Sequence, residues 1–492
     1  MNPLMSIDFY KADHRRQYPE GTEYVYSNFT PRSARLANVL DGFDERVVFV
    51  GLQAYIKRVL QDQWNREFFE KSKDEVILKY KKRMDTSLGE GAIPMDHIEA
   101  LHDLGYLPLK IKALEEGSRV NIKVPMFTVV NTIPEFYWLT NYIETSISAE
   151  VWKPCTTATL AYECKRLLTE YAKKTGAPFD TIPIQAHDFS FRGMSGAEDA
   201  ALSGLGHLTS FMGTDTVAAI DYAEDLYNAT EAVGVSVPAT EHSVMCMGTK
   251  ESEIETFKRL INDLYPTGIV SIVSDTWDFW KVITEFAVEL KQDILSRIPN
   301  ALGLAKTVFR PDSGDPVKII CGDPDAEAGT PEHKGAVECL WETFGGTETD
   351  KGYKLLNERV GLIYGDSITL ERAQAILSQL EAKGFASTNI VFGVGSYTYQ
   401  YLTRDTFGFA MKATWGQVNG EGRAIFKDPI TDKGEKKSAA GLLRVEKTDQ
   451  GFELFDRQSH EEEAGGAFET VFADGKLVKE TTFEEIRSRL TI

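Results

Sequence analysis

Residues 360–367, VGLIYGDS, contain the pattern that decides the fold of this chain. An apolar run typical of a buried strand, Val360–Tyr364, ends abruptly in the polar turn Gly365-Asp366-Ser367. Helix-like segments separate this unit from similar units, and the repetition of strand, polar end and helix predicts a parallel sheet. Six further polar ends of this kind are His187-Asp188-Phe189, Gly213-Thr214-Asp215-Thr216, Glu241-His242-Ser243, Ser274-Asp275, Arg310-Pro311-Asp312-Ser313-Gly314 and Gly393-Val394-Gly395-Ser396.

The number of these units indicates an α/β fold with an irregular (β/α)8-type barrel, whose active site would lie at the carboxyl ends of the strands. A doubly wound open sheet would give a similar string, so closure remains open at this point. We expect residues 155–404 to form the α/β barrel catalytic domain. Residues 1–154 together with 405–492 are expected to form a second, α+β domain.

Two local features lie outside the repeated units. A β-hairpin is predicted around Asp474-Gly475, followed by a last helix that opens with the capping-box pattern Thr482-Phe483-Glu484-Glu485. Residues 322–350 are rich in Gly, Pro, Asp and Glu, and we expect them to be a surface insertion between two strands of the barrel.

Composition limits the partners and the compartment. The 492 residues carry a formal charge of −20, from 54 basic and 74 acidic side chains, which argues against nucleic acid or an anionic membrane as the main partner. The five cysteines are scattered without a CxxC pair, which favours a reducing compartment and no zinc site. The amino terminus lacks the apolar core of a signal peptide, and no apolar run approaches membrane-spanning length. We therefore expect a soluble, cytoplasmic protein.

The polar strand ends would meet on one face of the barrel. A single Asp after a strand is most often a helix cap, but this face combines carboxylates, arginines and glycine-rich turns. The turn at Gly395 would offer backbone N–H groups and a helix N-terminus to a phosphate. Carboxylates beside N–H groups that can bind a phosphate favour a phosphorylated ribose and Mg²⁺ as the ligands of this face. The charged side chains of this face are Asp215, Asp275, Asp278, Asp312, Asp366, Arg192, Arg310 and Arg404.

Several motifs follow one another in a family's order. They include His187-Asp188-Phe189-Ser190-Phe191-Arg192-Gly193, Gly213-Thr214-Asp215-Thr216-Val217, Ser236-Val237-Pro238-Ala239-Thr240-Glu241-His242-Ser243, Arg310-Pro311-Asp312-Ser313-Gly314, Leu402-Thr403-Arg404-Asp405 and Phe426-Lys427-Asp428-Pro429. Together they resemble the nicotinamide phosphoribosyltransferase family over nearly the whole chain, from Asp8-Phe9-Tyr10-Lys11 onward. The resemblance implies a type II phosphoribosyltransferase fold, active as a homodimer with shared sites, that uses nicotinamide, phosphoribosyl pyrophosphate, Mg²⁺ and ATP.

The resemblance also assigns roles to individual residues. His242, Asp312, Arg310 and Asp278 become the catalytic candidates: His242 is phosphorylated by ATP with Glu241 orienting its ring, and Asp278 and Asp312 bind Mg²⁺ and ribose. Phe189 and the partner subunit's Tyr10 would stack on nicotinamide, with Arg192 and Asp215 on its carboxamide. The remaining substrate contacts are Arg310 and Asp366 near the ribose, Gly365 and Gly395 at the 5′-phosphate, Arg32, Arg404, Lys412 and Lys427 at the pyrophosphate, and Ser274.

The chain departs from the family's pattern at Ser396, where a further glycine is common, and at Ala410, where a serine often helps to hold phosphate. Which of Lys433, Lys436 and Lys437 corresponds to the family's nucleotide-contacting lysine is left open.

Three other functions are considered. A nicotinate phosphoribosyltransferase would perform the same chemistry on the acid. A sugar-phosphate lyase or aldolase would need a Schiff-base lysine at a strand end, and the sequence has none there. A catalytically silent barrel used as a binding protein should have lost some of Asp312, Arg310, His242 and Arg404, which are all present.

Overall fold

The computed structural model describes residues 2–427 and 439–492, so Lys433, Lys436 and Lys437 lie outside the described residues. Its central feature is a six-stranded sheet in which each neighbouring pair is parallel. Val270, Ile272 and Phe309 on its strands are fully buried in one core with the covering helices. In spatial order the strands are Gly213–Thr214, Ala186–Asp188, Val391–Val394, Val360–Tyr364, Ala305–Arg310 and Gly268–Val273.

Residues 235–240 lie beside both edges of this sheet. Val235 forms a parallel bridge with Gly213 at one edge, and Ala239 forms one with Ser271 at the other. The predicted α/β class and parallel sheet are confirmed, whereas closure into an eight-stranded barrel stays a prediction.

The helices on this sheet begin at polar caps that the strand ends supply. The side chains of Asp278, Asp315 and Thr369 each accept a hydrogen bond from a backbone N–H in the first turn of the next helix, which satisfies donors that a helix leaves unpaired. The helices are Ala197–Leu208, Val217–Tyr227, His242–Met247, Glu253–Lys258 continued by Arg259–Leu264, Phe279–Lys281 continued by Val282–Phe286 and Ala287–Glu289, Lys291–Leu295, Pro316–Cys321, Leu370–Ala382 and Ser396–Tyr399.

The two ends of the chain share a seven-stranded sheet. The predicted hairpin is present, because Ala473 pairs with Lys476 across a turn in which Asp474 and Gly475 have φ of 47° and 78°. The capping box at Thr482 is also present. In spatial order the strands are Glu421–Ala424, Ala410–Val418, Thr22–Thr30, Phe127–Asn131, Leu109–Ala113, Glu469–Ala473 and Lys476–Leu477.

The other elements pack around these sheets. The amino-terminal helices share one core with the seven-stranded sheet; they are Leu52–Tyr55 continued by Ile56–Gln63 and Asn65–Phe69, Lys73–Leu88, Asp96–Leu104 and Leu139–Tyr142. Two-stranded sheets join Arg46–Val48 to Arg119–Asn121, Gly346–Glu348 to Lys354–Leu356, and Leu442–Thr448 to Gly451–Gln458. The last helix is Phe483–Arg489.

Helix Glu144–Thr175 contributes to the cores of both large sheets. Its 32 residues extend about 48 Å at the usual rise per residue. Ile147 and Val151 lie in the core of the seven-stranded sheet, and Leu160 and Leu168 lie in that of the parallel sheet. The predicted boundary between residues 154 and 155 falls inside this one helix, and the division into domains stays a prediction.

The expectation of a purely surface insertion at residues 322–350 is wrong in part. Helix Ala336–Phe344 buries Val337, Leu340 and Phe344 in the core of the parallel sheet. Charged residues and glycines around this helix dominate the composition of the segment, so the composition does not indicate that the helix has an apolar face.

Candidate active site

The carboxyl ends of the parallel strands bring the predicted polar side chains together, as their sheet order requires. Asp215 follows the edge strand Gly213–Thr214, Phe189 follows its neighbour Ala186–Asp188, and Asp312 lies two residues beyond Arg310, the last residue of a strand. The interactions among these side chains form two clusters, one around Asp215 and one around Asp275.

Asp215 is held by two donors. His187 Nε2 lies 2.9 Å from Asp215 Oδ1, and Ser236 Oγ donates to the same oxygen at 2.6 Å. Burial raises the pKa of Asp215, but these hydrogen bonds and the charges of His187 and Arg310 outweigh it, and the net shift of the pKa is downward. The His187 and Phe189 rings lie 4.7 Å apart, centroid to centroid. The charged carboxylate of Asp215 and the Phe189 ring therefore both contact the His187 ring.

Asp275 is the centre of the second cluster, and its side chain is only 6% exposed. One oxygen, Oδ1, lies 3.2 Å from His242 Nε2. The other, Oδ2, accepts hydrogen bonds from the backbone N–H groups of Asp312 and Ser313, each at 2.8 Å, and from the Ser313 hydroxyl. This one buried carboxylate thus joins His242 to the loop that carries Asp312.

The expectation that Glu241 orients the His242 ring is wrong, because the Glu241 carboxylate accepts a hydrogen bond from the Ser243 hydroxyl and Asp275 contacts the ring instead. The His242 side chain itself is 47% exposed.

Asp312 lies among charges of both signs. Its Oδ1 is 3.8 Å from Arg310 Nε, and a Cβ added at Gly365 would lie 2.5 Å from that oxygen, so the Asp312 carboxylate rests against this glycine. Burial raises the pKa of Asp312; Arg310 opposes the rise, and the carboxylates of Asp275 and Asp366 add to it. Negative charge is therefore concentrated at this end of the site.

Arg310 and Ser274 fasten two neighbouring strand ends to each other. Ser274 N donates to Arg310 O at 3.0 Å, and Arg310 N donates to Ser274 Oγ at 3.3 Å. The Arg310 guanidinium also donates to the carbonyl of Thr240. Ser274 is fully buried, and its described hydrogen bonds are all to backbone groups, of Arg310 on the neighbouring strand and of Ile272 on the strand that precedes it.

The glycine-rich turns differ in how closely they are packed. A Cβ at Gly393 would lie 2.7 Å from Phe189 Cδ2, whereas a Cβ at Gly395 would meet nothing within 4 Å. Gly395 is the N-cap of the four-residue helix Ser396–Tyr399. The Ser396 side chain lies against Gly193, where an added Cβ would come within 2.3 Å of Ser396 Oγ.

The other predicted residues have different surroundings in the single chain. Within residues 2–427 and 439–492, no hydrogen bond or ion pair joins Tyr10, Arg192, Arg32, Arg404, Lys412 or Asp278 to Asp215 or Asp312. Tyr10 is 58% exposed on a 3-10 turn, and Arg192 is exposed in the turn Phe191–Gly193. Of the remaining five, Arg32 donates to the Gly408 carbonyl, Arg404 pairs with Asp405, Lys412 is exposed on strand Ala410–Val418, and Asp278 caps its helix. Lys427 is exposed.

Sequence reasoning assigned no role to His187, Ser236, Asp275 or Glu253. The alternation of the strand gives a signal for the first, because His187 and Phe189 are two residues apart and share a face. Glu253 carries no such signal. It is a buried carboxyl near Asp278 and Lys281, and burial raises its pKa to about 7.

Two family models match the chain. That of the nicotinate phosphoribosyltransferase family matches residues 184–475, and that of the N-terminal domain of nicotinamide phosphoribosyltransferase matches residues 2–111. A nicotinamide phosphoribosyltransferase from Acinetobacter baylyi is 70% identical over 490 residues, which cover 100% of this chain and 97% of that protein.

The chain belongs to the nicotinate and nicotinamide phosphoribosyltransferase family. This confirms the resemblance on which the site residues were predicted. A second family member, the nicotinamide phosphoribosyltransferase of Xanthomonas campestris pv. campestris, is 32% identical over 495 residues, covering 99% of this chain and 97% of its own.

Solved structures of related enzymes share the fold. Human nicotinic acid phosphoribosyltransferase matches with a TM-score of 0.56 at 14% identity, covering 98% of this chain and 92% of its own. The nicotinate-nucleotide pyrophosphorylase of Pyrococcus furiosus matches with the same TM-score and identity, covering 99% and 95%. None of the helices in the described residues is both long and apolar enough to cross a membrane.

Proposed function

We propose that this protein transfers the phosphoribosyl group of phosphoribosyl pyrophosphate to nicotinamide in NAD biosynthesis, releasing nicotinamide mononucleotide and pyrophosphate. The names of the similar family members support this reaction. The observation that carries the choice of nicotinamide is the pair of donors on Asp215, which stabilises a charged carboxylate one imidazole ring away from Phe189. Such a carboxylate accepts a hydrogen bond from a carboxamide NH₂ and repels the carboxylate of nicotinate.

The reaction requires no general base. The pyridine nitrogen attacks C1 of the ribose with its own lone pair while the bond from C1 to the pyrophosphate oxygen breaks, and the electron pair leaves with pyrophosphate. The rate must then come from positioning and electrostatics. Asp312 and Asp366 supply negative charge where C1 becomes cationic, and Arg310 limits the mutual repulsion of these carboxylates.

The remaining contacts follow the family assignment. Phe189 stacks on one face of nicotinamide and Arg192 contacts its carboxamide. Gly365 and Gly395 serve the 5′-phosphate, and the bare backbone at Gly395 supports that role because nothing crowds it. The basic residues Arg32, Arg404, Lys412 and Lys427 bind pyrophosphate, whereas Ser274, which is fully buried, holds the backbone of Arg310 instead of contacting substrate as predicted.

Tyr10 would complete the site from the partner subunit of a homodimer. Its exposure supports this arrangement, because an exposed ring on one subunit is free to enter the site of another.

Mg²⁺ fits the charges at Asp312. The described residues contain no group of three His, Cys, Asp or Glu side chains that could hold a metal alone, as expected for Mg²⁺, which takes many of its ligands from water and substrate phosphate. We assign it to Asp312 and Asp278, and the raised pKa of Asp312 supports a cation there. When bound, Mg²⁺ neutralises charge on the departing pyrophosphate.

ATP would phosphorylate His242. The ring is half exposed, and Asp275 contacts only its Nε2, which leaves Nδ1 as the nucleophile. The phosphohistidine and the coupling to ATP follow from the family resemblance and are part of the proposal.

The same proposal covers the larger architecture and the compartment. The two bridges made by residues 235–240 support a barrel closed around the parallel strands. The sheet shared by both chain ends supports an α+β domain of residues 1–154 and 405–492, with residues 155–404 as the barrel. Five free cysteines support a cytoplasmic location.

Comparing kcat/KM for nicotinamide and nicotinate in the wild type and Asp215→Asn tests the function. We expect a strong preference for nicotinamide, narrowed in the variant by about 2–4 kcal/mol, or roughly 30- to 1000-fold. Preferred use of nicotinate by the wild type would establish the nicotinate enzyme instead. No product from either substrate would establish a silent barrel, and an unchanged ratio with lower stability would leave Asp215 with a structural role only, as a partner of His187 and Ser236.

A further inference from the structure

We propose that His187 is a positioning residue that determines which oxygen of Asp215 faces the substrate, and through it the preference for a carboxamide over a carboxylate on the pyridine ring. The proposal rests on the function proposed above and adds a residue to its specificity.

The hydrogen bonds at Asp215 are unequal between its two oxygens. His187 Nε2 and Ser236 Oγ both contact Oδ1, at 2.9 and 2.6 Å. Within residues 2–427 and 439–492, Oδ2 has no hydrogen-bond partner. The Asp215 side chain is 45% exposed, so Oδ2 is the oxygen left to accept from a ligand NH₂.

The His187 ring is wedged in place. A Cβ at Gly213 would lie 2.9 Å from His187 Nδ1, so the ring rests against a glycine on the paired strand. Its other neighbour is the Phe189 ring, at 4.7 Å between centroids. With only 12% of the side chain exposed, the imidazole has little freedom to turn away from Asp215.

The Ser236 hydroxyl alone would fix the carboxylate less firmly. A hydroxyl rotates about its C–O bond and can donate elsewhere, whereas a wedged imidazole donates along one direction. Removing His187 would let the carboxylate turn, and Oδ2 would then be aligned with the ligand NH₂ for only part of the time. The repulsion of a carboxylate substrate would weaken as well, because the charge would no longer be fixed at one place.

Two substitutions at this position separate the hydrogen bond from the ring. His187→Phe keeps an aromatic ring against Gly213 and Phe189 but removes the donor, and His187→Gln keeps a donor but removes the ring. The readout is the ratio of kcat/KM for nicotinamide to that for nicotinate, with kcat and KM reported separately. We expect the ratio to fall about tenfold in His187→Phe, the effect of one lost charge-assisted hydrogen bond, and to stay within about threefold of the wild type in His187→Gln.

A double-mutant cycle with Asp215→Asn supplies the control. In that background, His187→Phe should change the ratio less than about twofold, since the group that it positions is gone. The proposal would be overturned if folded His187→Phe kept the wild-type ratio, or if the ratio fell as far in His187→Gln as in His187→Phe. In either case, transfer to nicotinamide by the wild type would still support the proposed function. If His187→Phe fails to fold, Ser236→Ala/His187→Gln decides: a ratio below that of Ser236→Ala alone by more than threefold would refute the role of the donor.

Discussion

Gly393 is the position at which one methyl group should do the most damage to the site. It lies on strand Val391–Val394, between the strands that carry Phe189 and Gly365. A Cβ built there would lie 2.7 Å from Phe189 Cδ2, 2.7 Å from the Tyr364 carbonyl oxygen and 2.8 Å from Gly365 Cα. The ring could rotate, but the other two atoms belong to backbone.

The size of the effect follows from these distances. Ordinary contacts of a Cβ begin at 3.4 Å, so the backbone of the neighbouring strand must retreat by about 0.6 Å or more. Overpacking of this kind costs about 1–3 kcal/mol, and the lower entropy of unfolded alanine offsets about 0.4–1 kcal/mol of it. We expect Gly393→Ala to lose about 1–2 kcal/mol in the free energy of unfolding. A shift of this order at Phe189 and Gly365 should lower kcat/KM about 10- to 100-fold.

Gly395→Ala is the matched control for stability. The two glycines are two residues apart, and a Cβ at Gly395 meets nothing within 4 Å at a φ of −102°, which alanine adopts freely. Urea unfolding should place Gly395→Ala within about 0.5 kcal/mol of the wild type. Equal stability of the two variants, or full activity of Gly393→Ala, would refute the argument from close packing.

Three further predictions concern other parts of the molecule. Mixing an inactive Tyr10→Ala, Arg32→Ala chain with an inactive Asp312→Ala chain should restore some activity, because one hybrid site is intact; fully active monomers in light scattering would contradict shared sites. His242→Ala should abolish stimulation by ATP and keep slow basal transfer, and a full response to ATP would exclude it as the phosphate acceptor. Burial lowers the pKa of His97 to about 4. Between pH 6.5 and 4 the unfolded chain therefore binds a proton that the folded chain does not, and the free energy of unfolding decreases as pH falls, by about 3 kcal/mol in all. His97→Phe should lose this part of the pH dependence of the urea midpoint, and an unchanged pH profile would count against the prediction.

The sequence was most informative where the signal is local. The run Val360–Tyr364 followed by a polar turn requires only neighbouring residues to be recognised, and so do the hairpin at Asp474-Gly475 and the capping box at Thr482. Each of these features is found in the structure. Family motifs added the identity of Asp215 and Asp312, which pattern alone would have described as helix caps.

The contacts that organise the site could not be predicted in this way, because they join distant parts of the chain. Asp275 contacts His242, which is 33 residues earlier, and Ser313, which is 38 residues later. Glu241 is next to His242 in sequence, which makes it the obvious candidate for a partner of the ring. Adjacent residues at the start of a helix do not face each other, however, and the Glu241 carboxylate binds Ser243 instead. The sheet order decides these neighbours, and sheet order is a tertiary property.

The two ends of the site are connected by close backbone packing rather than by a network of side chains. Gly393 lets the Phe189 ring and the Gly365 backbone both lie against its strand, and Gly365 in turn lets Asp312 lie against its backbone. Arg310 belongs to the Asp312 end and still lowers the pKa of Asp215 at the other. In the proposed reaction no general base acts, so the rate depends on how close the pyridine nitrogen comes to C1. The distance between Phe189, on which nicotinamide is proposed to stack, and the charged groups around Asp312 fixes that approach. We infer that Gly393 and Gly365 set this distance, because a Cβ at either position would clash with the groups that pack against it.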